Sequence, residues 1–222
     1  MDTIKSKYHE TLAATVIKNL EKRQMEGYYC PTVEDAEKLA FSFLKDGQTV
    51  SFGGSMTLEE TGMLTALRHD PSIHLIDRST AKTPDETKKM YHDALSSDVY
   101  FMSTNAITTG GELVNIDGTG NRVAALIYGP ETVVILAGMN KIAANVDEAL
   151  SRVHNVATAQ NCIRLDKKTP CAITGACADC LSPDCICNQV VITRRSGIKG
   201  RIKVLLICLL YTSPSPRDRQ KS

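Results

Sequence analysis

Near the start of the chain apolar residues recur at every fourth position: Ile4, Tyr8, Leu12, Val16 and Leu20, with Ala13 and Ile17 beside them. The spacing puts them on one stripe and predicts a long N-terminal helix, packed on the domain or on a second subunit in a homo-oligomer, with Gly27 ending it. GYYC then predicts a short extended segment before Pro31. Thr32 followed by Asp35 starts a second helix, in which Val33, Ala36, Leu39, Ala40 and Phe43 keep helical spacing. After it, short apolar runs alternate with helical patterns. TVSF, IHLID, VYFM and TVVILAG have strand length and composition. Between them, Thr57 with Glu60, Thr83-Pro84 with Glu86, and Asn145 with Glu148 read as helix starts, the last opening a helix that continues to Cys162. Strands separated by helices of about ten or more residues require parallel crossovers. The fold class is therefore α/β, a mostly parallel sheet flanked by helices.

The densest patterning lies between Asp98 and Lys141. VYFM ends at Ser103 in a stretch of Ser, Thr, Asn and Gly, as a buried strand does when it delivers its carboxyl end to a site. LVNI and RVAALIY flank DGTGN, and Asp117-Gly118 between two apolar runs predicts an inserted β-hairpin, because glycine tolerates the positive φ such turns need. On that expectation the glycines lead into a strand. A dinucleotide-binding fold, where they would open a helix, is then disfavoured. The strand ends would present Asn105, Thr109, Glu112, Asn115, Asp117, Asn121, Arg122 and Lys141, a set able to hold an anion and move a proton.

Within that set the roles divide by chemistry. Glu112, flanked by Gly111 and an apolar arm, is either a general base raised in pKa by burial or a loop tie that accepts backbone N–H bonds. Asp117 before glycine is a turn residue. Arg122 can grip a carboxylate with two N–H groups and Lys141 can add a point charge, unless each is spent in an internal ion pair with Glu112 or Asp117. Gly53-Gly54-Ser55, between TVSF and the next helix, is either an anion-binding turn or a tight turn without a ligand.

Composition then narrows the partners. With 26 Lys and Arg against 25 Asp and Glu, no charge excess drives binding to nucleic acid or an anionic membrane. The one basic cluster, TRRSGIKGRIK, reads as a solvated face. No basic-then-apolar leader is visible, and the longest apolar run, VLLICLL, is too short to span a bilayer, so a cytoplasmic protein is expected. In a reducing compartment eight cysteines suit metal ligation better than a disulfide framework. Cys171, Cys177, Cys180, Cys185 and Cys187 lie close together in CAITGACADCLSPDCICN, with Cys162 upstream. Cys177-x-x-Cys180 suits zinc or an iron-sulfur cluster, and the remaining spacings match neither zinc pairs nor the common ferredoxin runs.

The string NAITTGGELVNIDGTGNRVAALIYGP, with GGSMTLEETG upstream and the cysteine-rich segment downstream, resembles the LUD-domain (lactate utilisation) family over about residues 1–204. The resemblance implies a fold similar to the sugar-phosphate isomerase and CoA-transferase (NagB/RpiA/CoA transferase-like) group, with the Gly53–Ser55 loop facing the central motif. It also implies a link to oxidation of lactate to pyruvate. A small carboxylate or sugar-phosphate ligand, a redox partner subunit and an iron-sulfur cluster of 4Fe-4S type follow as expectations, with zinc as the alternative. No flavin or nicotinamide motif accepts a hydride, so the partner would supply that step. Two rival functions remain open: an isomerase or acyl-CoA transferase using Glu112 with a structural zinc, and a noncatalytic assembly or sensor protein. The expected organisation is one α/β domain over 1–163 and 188–207, a metal-binding segment over 164–187, and a non-native tail over 208–222, since LLYTSPSPRDR departs from the family's ending.

Overall fold

The apolar runs are uninterrupted because the strands they form are buried on both faces. In the computed structural model, which describes residues 3–208, the chain opens with α1 (Thr3–Lys22) and β1 (Glu26–Cys30), followed by α2 (Val33–Phe41) and β2 (Thr49–Phe52). Next come α3 (Met56–Glu60), α4 (Met63–His69), β3 (His74–Ile76), α5 (Pro84–Leu95) and β4 (Val99–Met102). The central region supplies β5 (Ala106–Thr108), β6 (Leu113–Asp117), α6 (Asn121–Ile127), β7 (Thr132–Gly138) and β8 (Ile142–Ala143). It is followed by α7 (Val146–Arg152), α8 (Ala159–Arg164), α9 (Pro170–Thr174), β9 (Gln189–Thr193) and β10 (Ile202–Ile207).

Six strands, in the order β1-β10-β7-β4-β2-β3, pair in parallel throughout. Alternate residues of β4, β7 and β10 feed two cores. Val133, Ile135 and Ala137 of β7 pack with Ala13, Val16 and Leu20 of α1 and with Ala125 and Leu126 of α6. Val134 and Leu136 pack on the other side with Ala36 and Ala40 of α2 and with Leu58, Met63 and Leu67 of α3 and α4. This is the expected α/β architecture, and two-sided burial explains why the strands show no polar alternation. The stripe on α1 is buried only in its later turns, since Ile4 and Tyr8 are exposed.

A second sheet, β8-β5-β6-β9, joins antiparallel pairs β5/β6 and β6/β9 to a short parallel pair β5/β8. Its Ile107 and Leu113 enter the α1 core, while Ala106, Val114 and Ile116 face α7. The hairpin of the central region is therefore formed by β5 and β6 across Thr109–Glu112, one arm earlier than the sequence pattern suggests. DGTGN does not turn between strands. Asp117 Oδ1 accepts from the N–H groups of Thr119 and Gly120, at 3.1 and 2.7 Å, and Gly120 (φ 91°) starts α6. RVAALI is helical because Val123, Ala125 and Leu126 fit one buried face, a spacing that a short apolar run leaves ambiguous with a strand.

The glycines of this motif do open a helix, so they give no ground against a dinucleotide-binding fold; strand order does. Counting only the six parallel strands along the chain, the order is 3-2-4-5-6-1, against 3-2-1-4-5-6 in that fold. Two further boundaries shift. Gly27 lies inside β1, where a Cβ would meet Leu20 and Ile17, and α1 ends at Lys22. The helix after the double glycine is capped by Ser55, whose hydroxyl accepts from Leu58 N, and not by Thr57. The caps at Thr32, Thr83 and Asn145 form as expected. The helix from Asn145 continues through a π-helical stretch, Val153–Thr158, into α8. The tail expectation falls outside the described residues except for Cys208, which is buried.

Candidate ligand cleft at the strand ends

Chain order leaves β2 by way of β3 on one side and returns at β4 on the other, so the crevice between their carboxyl ends is a switch point. A cleft of about 800 Å³ opens there. Gly54, Ser55, Thr57 and Glu60 line it after β2, Ser103 and Asn105 after β4, Asp117 and Arg122 after β6, and Asn140 and Lys141 after β7. Ala157 and Thr158 of the π-helical stretch form one wall, and Pro183, Asp184, Cys185 and Ile186 of the cysteine-rich segment close another. Six cationic side chains, Arg78, Arg122, Lys141, Arg152, Arg164 and Lys167, face three carboxylates, Glu60, Asp117 and Asp184.

Arg122 holds this end of the fold together. Its Nη1 donates to Ser103 O at 3.0 Å and Asn115 Oδ1 at 2.7 Å, its Nη2 to Asn105 Oδ1 at 2.9 Å and Ile116 O at 2.7 Å, and its Nε pairs with Asp117 at 3.2 Å. All five guanidinium N–H groups are thereby used within the protein. The expectation that Arg122 clamps a carboxylate is corrected: no donor is left for one. Burial pulls its pKa down, and Asp117 opposes that. Gly53 belongs to the same cluster, because a Cβ there would lie 3.0 Å from the Arg122 side chain.

Lys141 differs. Its side chain is part-buried, and among the described residues its Nζ bonds to two hydroxyls, Thr57 Oγ1 and Ser103 Oγ, both at 2.7 Å. No carboxylate lies within ion-pair distance of it among the described residues. Burial, with Arg152 and Arg122 nearby and Glu60 opposing them, lowers its pKa to about 7. Arg78, in a 3-10 turn after β3, stacks on the Tyr91 ring and donates to its hydroxyl at 3.3 Å. Its guanidinium lies against Gly54, where a side chain would collide with it. Arg152 spans Asn140 O at 3.2 Å and Asn105 O at 2.6 Å.

Asn105, Asp117, Asn121, Arg122, Lys141, Gly54 and Ser55 are thus brought together, with Gly53 and the buried Asn115 just behind them. Thr109, Gly111 and Glu112 are not. Glu112 precedes β6 whereas the cleft is at its far end, a separation of roughly 17 Å along the strand at about 3.4 Å per residue. The Glu112 carboxylate is engaged by Arg23, in the turn just after α1, and by the Thr108 hydroxyl, so it ties the hairpin turn to the end of the N-terminal helix. Thr109 bonds to Ala143 and Ala144, and Gly111 abuts Asn19 and Leu20. Sequence reasoning missed Arg78, Arg152, Thr57 and Ser103. A basic residue directly after IHLID was the one available signal, for Arg78.

The cysteines divide into two groups. Cys162 and Cys171 are buried, and Cys171 Sγ lies 3.3 Å from the Thr169 hydroxyl. Burial raises the Cys162 thiol, with the neighbouring Cys171 and Cys185 adding to it and Thr169 opposing. Burial likewise lifts Cys187 to about 12, with Cys185 beside it. Cys177 sits apart, 3.7 Å from His154 Nδ1. Among the described residues no three His, Cys, Asp or Glu side chains are spaced to hold a metal ion. No helix among them is long and apolar enough to cross a membrane.

A family model described as the LUD domain matches residues 13–207. The fold is similar to the crystal structure of a DUF162 family protein from Deinococcus radiodurans, with TM-score 0.50 and 10% identity, covering 90% of this chain and 98% of that one. It is also similar to ribose 5-phosphate isomerase from Plasmodium falciparum, at TM-score 0.32 and 16% identity over 51% of this chain and 52% of that one. With eIF2B delta from Chaetomium thermophilum the values are 0.33 and 20% over 50% and 48%. No curated protein matches the sequence.

Proposed function

The chain belongs to the LUD-domain family, which is linked to lactate utilisation, and from that premise we propose that its cleft binds a small carboxylate of that metabolism. The observation that supports this reading is Lys141, a part-buried cation without a carboxylate partner among the described residues, in a cleft with twice as many cations as carboxylates. A ligand carboxylate would supply the missing countercharge, with Arg78 as a second donor. Thr57 and Ser103 fix the ammonium, so little side-chain freedom is lost on binding. Glu112 lies away from the cleft, so an isomerase or transferase reading would need one of the cleft's own carboxylates, Glu60 or Asp184, as the base.

Calorimetry with lactate and with pyruvate tests the reading. The parent protein should bind one of them, and Lys141→Met should weaken that binding at least about tenfold, the order expected for one charge-assisted hydrogen bond. No binding of either acid, or equal affinity in the variant, would sink it.

A second reading concerns electron transfer to a redox partner subunit. Cys162 packs with Cys171, and Cys187 N–H donates to Cys185 Sγ, and thiols of this kind suit an iron-sulfur cluster or zinc as ligands. Their present spacing does not hold an ion, so no step of the carboxylate reading passes through one. Iron and acid-labile sulfide in anaerobically purified protein, lost on Cys162→Ser, are the expected result for a cluster. Zinc without sulfide makes the segment structural, and neither leaves the thiols without a metal role.

A further inference from the structure

We infer that Lys141 is a covalent catch for 2-oxo acids, its side-chain amine forming an imine with the carbonyl carbon of the ligand. The inference rests on the carboxylate reading above and names the ligand class more narrowly: a carboxylate, held by Arg78 once the amine of Lys141 is neutral, with a carbonyl next to it.

The geometry of the amine carries it. Lysine amines in proteins are ordinarily protonated and solvated, hence without a lone pair to offer. Lys141 is part-buried, lacks an ion-pair partner among the described residues, and is held between two hydroxyls at 2.7 Å. A neutral amine has two N–H groups, and Thr57 and Ser103 accept both, leaving the lone pair as the remaining direction. The charges on adjacent elements act in the same sense. Arg122 of α6 and Arg152 of α7 disfavour the ammonium, and Glu60 of α3 opposes them. This combination of a desolvated amine with neighbouring cations is the general means of activating a lysine nucleophile. Lys141 also follows β7 and lines the cleft.

The step balances without an oxidant. The Nζ lone pair forms a C–N bond to the carbonyl carbon, and the carbonyl oxygen takes a proton to give a carbinolamine. Its hydroxyl then leaves as water while nitrogen gives up its remaining proton, so amine and ketone become imine and water. The Ser103 and Thr57 hydroxyls touch Nζ and can relay those protons. A 2-hydroxy acid such as lactate has no carbonyl and stops at the noncovalent complex.

The test treats the full chain with pyruvate and cyanoborohydride, which reduces an imine to a stable amine, and maps the adduct by peptide mass spectrometry. The expected result is one reduced adduct on Lys141, absent with lactate and absent in Lys141→Arg. The trapping rate should rise with pH and be half-maximal near 7, since the neutral amine is the reactive form. Calorimetry with pyruvate under the same conditions separates the failures. Heat of binding with no adduct at Lys141 overturns the covalent step and leaves the carboxylate reading standing. Neither heat nor adduct overturns both. Adducts scattered over surface lysines, unchanged in Lys141→Arg, also overturn it.

Discussion

Replacing Arg122 by alanine is expected to lower stability by about 3–5 kcal/mol, the range for removing one partner of a buried, hydrogen-bonded charge pair. The side chain is the common donor to Ser103, Asn105, Asn115 and Ile116 and pairs with Asp117. Without it Asn115 and Asp117, both buried, lose their charged partner. Truncation also opens a void against Gly53 and Tyr100. Arg122→Lys should recover only part of the loss, because an ammonium has three donors for five acceptors. Urea unfolding of both variants measures this, and a loss below about 1 kcal/mol for alanine would show that the network is dispensable. Ligand binding should weaken too, through loss of the loop's shape, since the guanidinium has no N–H to give a ligand.

The opposite sign is expected at Lys141. In the unfolded chain its amine titrates at the ordinary 10.5, and burial lowers it to about 7 in the folded protein. Between those values the unfolded state binds more protons, so this group's contribution makes stability rise with pH across that window. Below about pH 7 both states are protonated and the whole cost of burying the ammonium is present. Lys141→Met removes that cost, so the variant should be more stable than the parent at pH 6 by about 2–4 kcal/mol, after allowing for two hydroxyls left without their donor. The difference should shrink as pH approaches 10. Unfolding curves at pH 6, 8 and 10 decide it. A variant less stable than the parent at pH 6 would mean that the ammonium is not desolvated. A cost retained in the fold at the cleft is what a functional group shows and a structural one does not.

Much of this was legible in the residues. VYFM and TVVILAG could be placed as buried parallel strands because two-sided burial leaves no polar positions. The caps at Thr32, Thr83 and Asn145 were legible because a side-chain oxygen and the N–H it serves lie three residues apart, a purely local relation. The DGTGN motif reads as a hairpin turn for a related reason. Local turn chemistry specifies that the chain reverses, and the same Asp117 bonds that suit a hairpin also start a helix when its apolar face finds the α1 core. RVAALIY is too short for its period to decide.

The sequence alone determined the fold class, the family resemblance, the loops that carry the cleft and most of the polar residues found there, because each depends on local chemistry or on patterns along one chain. Only the tertiary structure decided which charges are free. Glu112, Arg122 and Lys141 looked alike as ionisable residues in one polar stretch. Folding gave Glu112 to Arg23 at the far end of β6 and surrounded Arg122 with five acceptors. It left Lys141 with two hydroxyls, because no carboxylate from another element reaches it among the described residues. Partnership of that kind is fixed by residues distant in sequence, and an ionisable group's chemistry follows from its partners and its burial more than from its type.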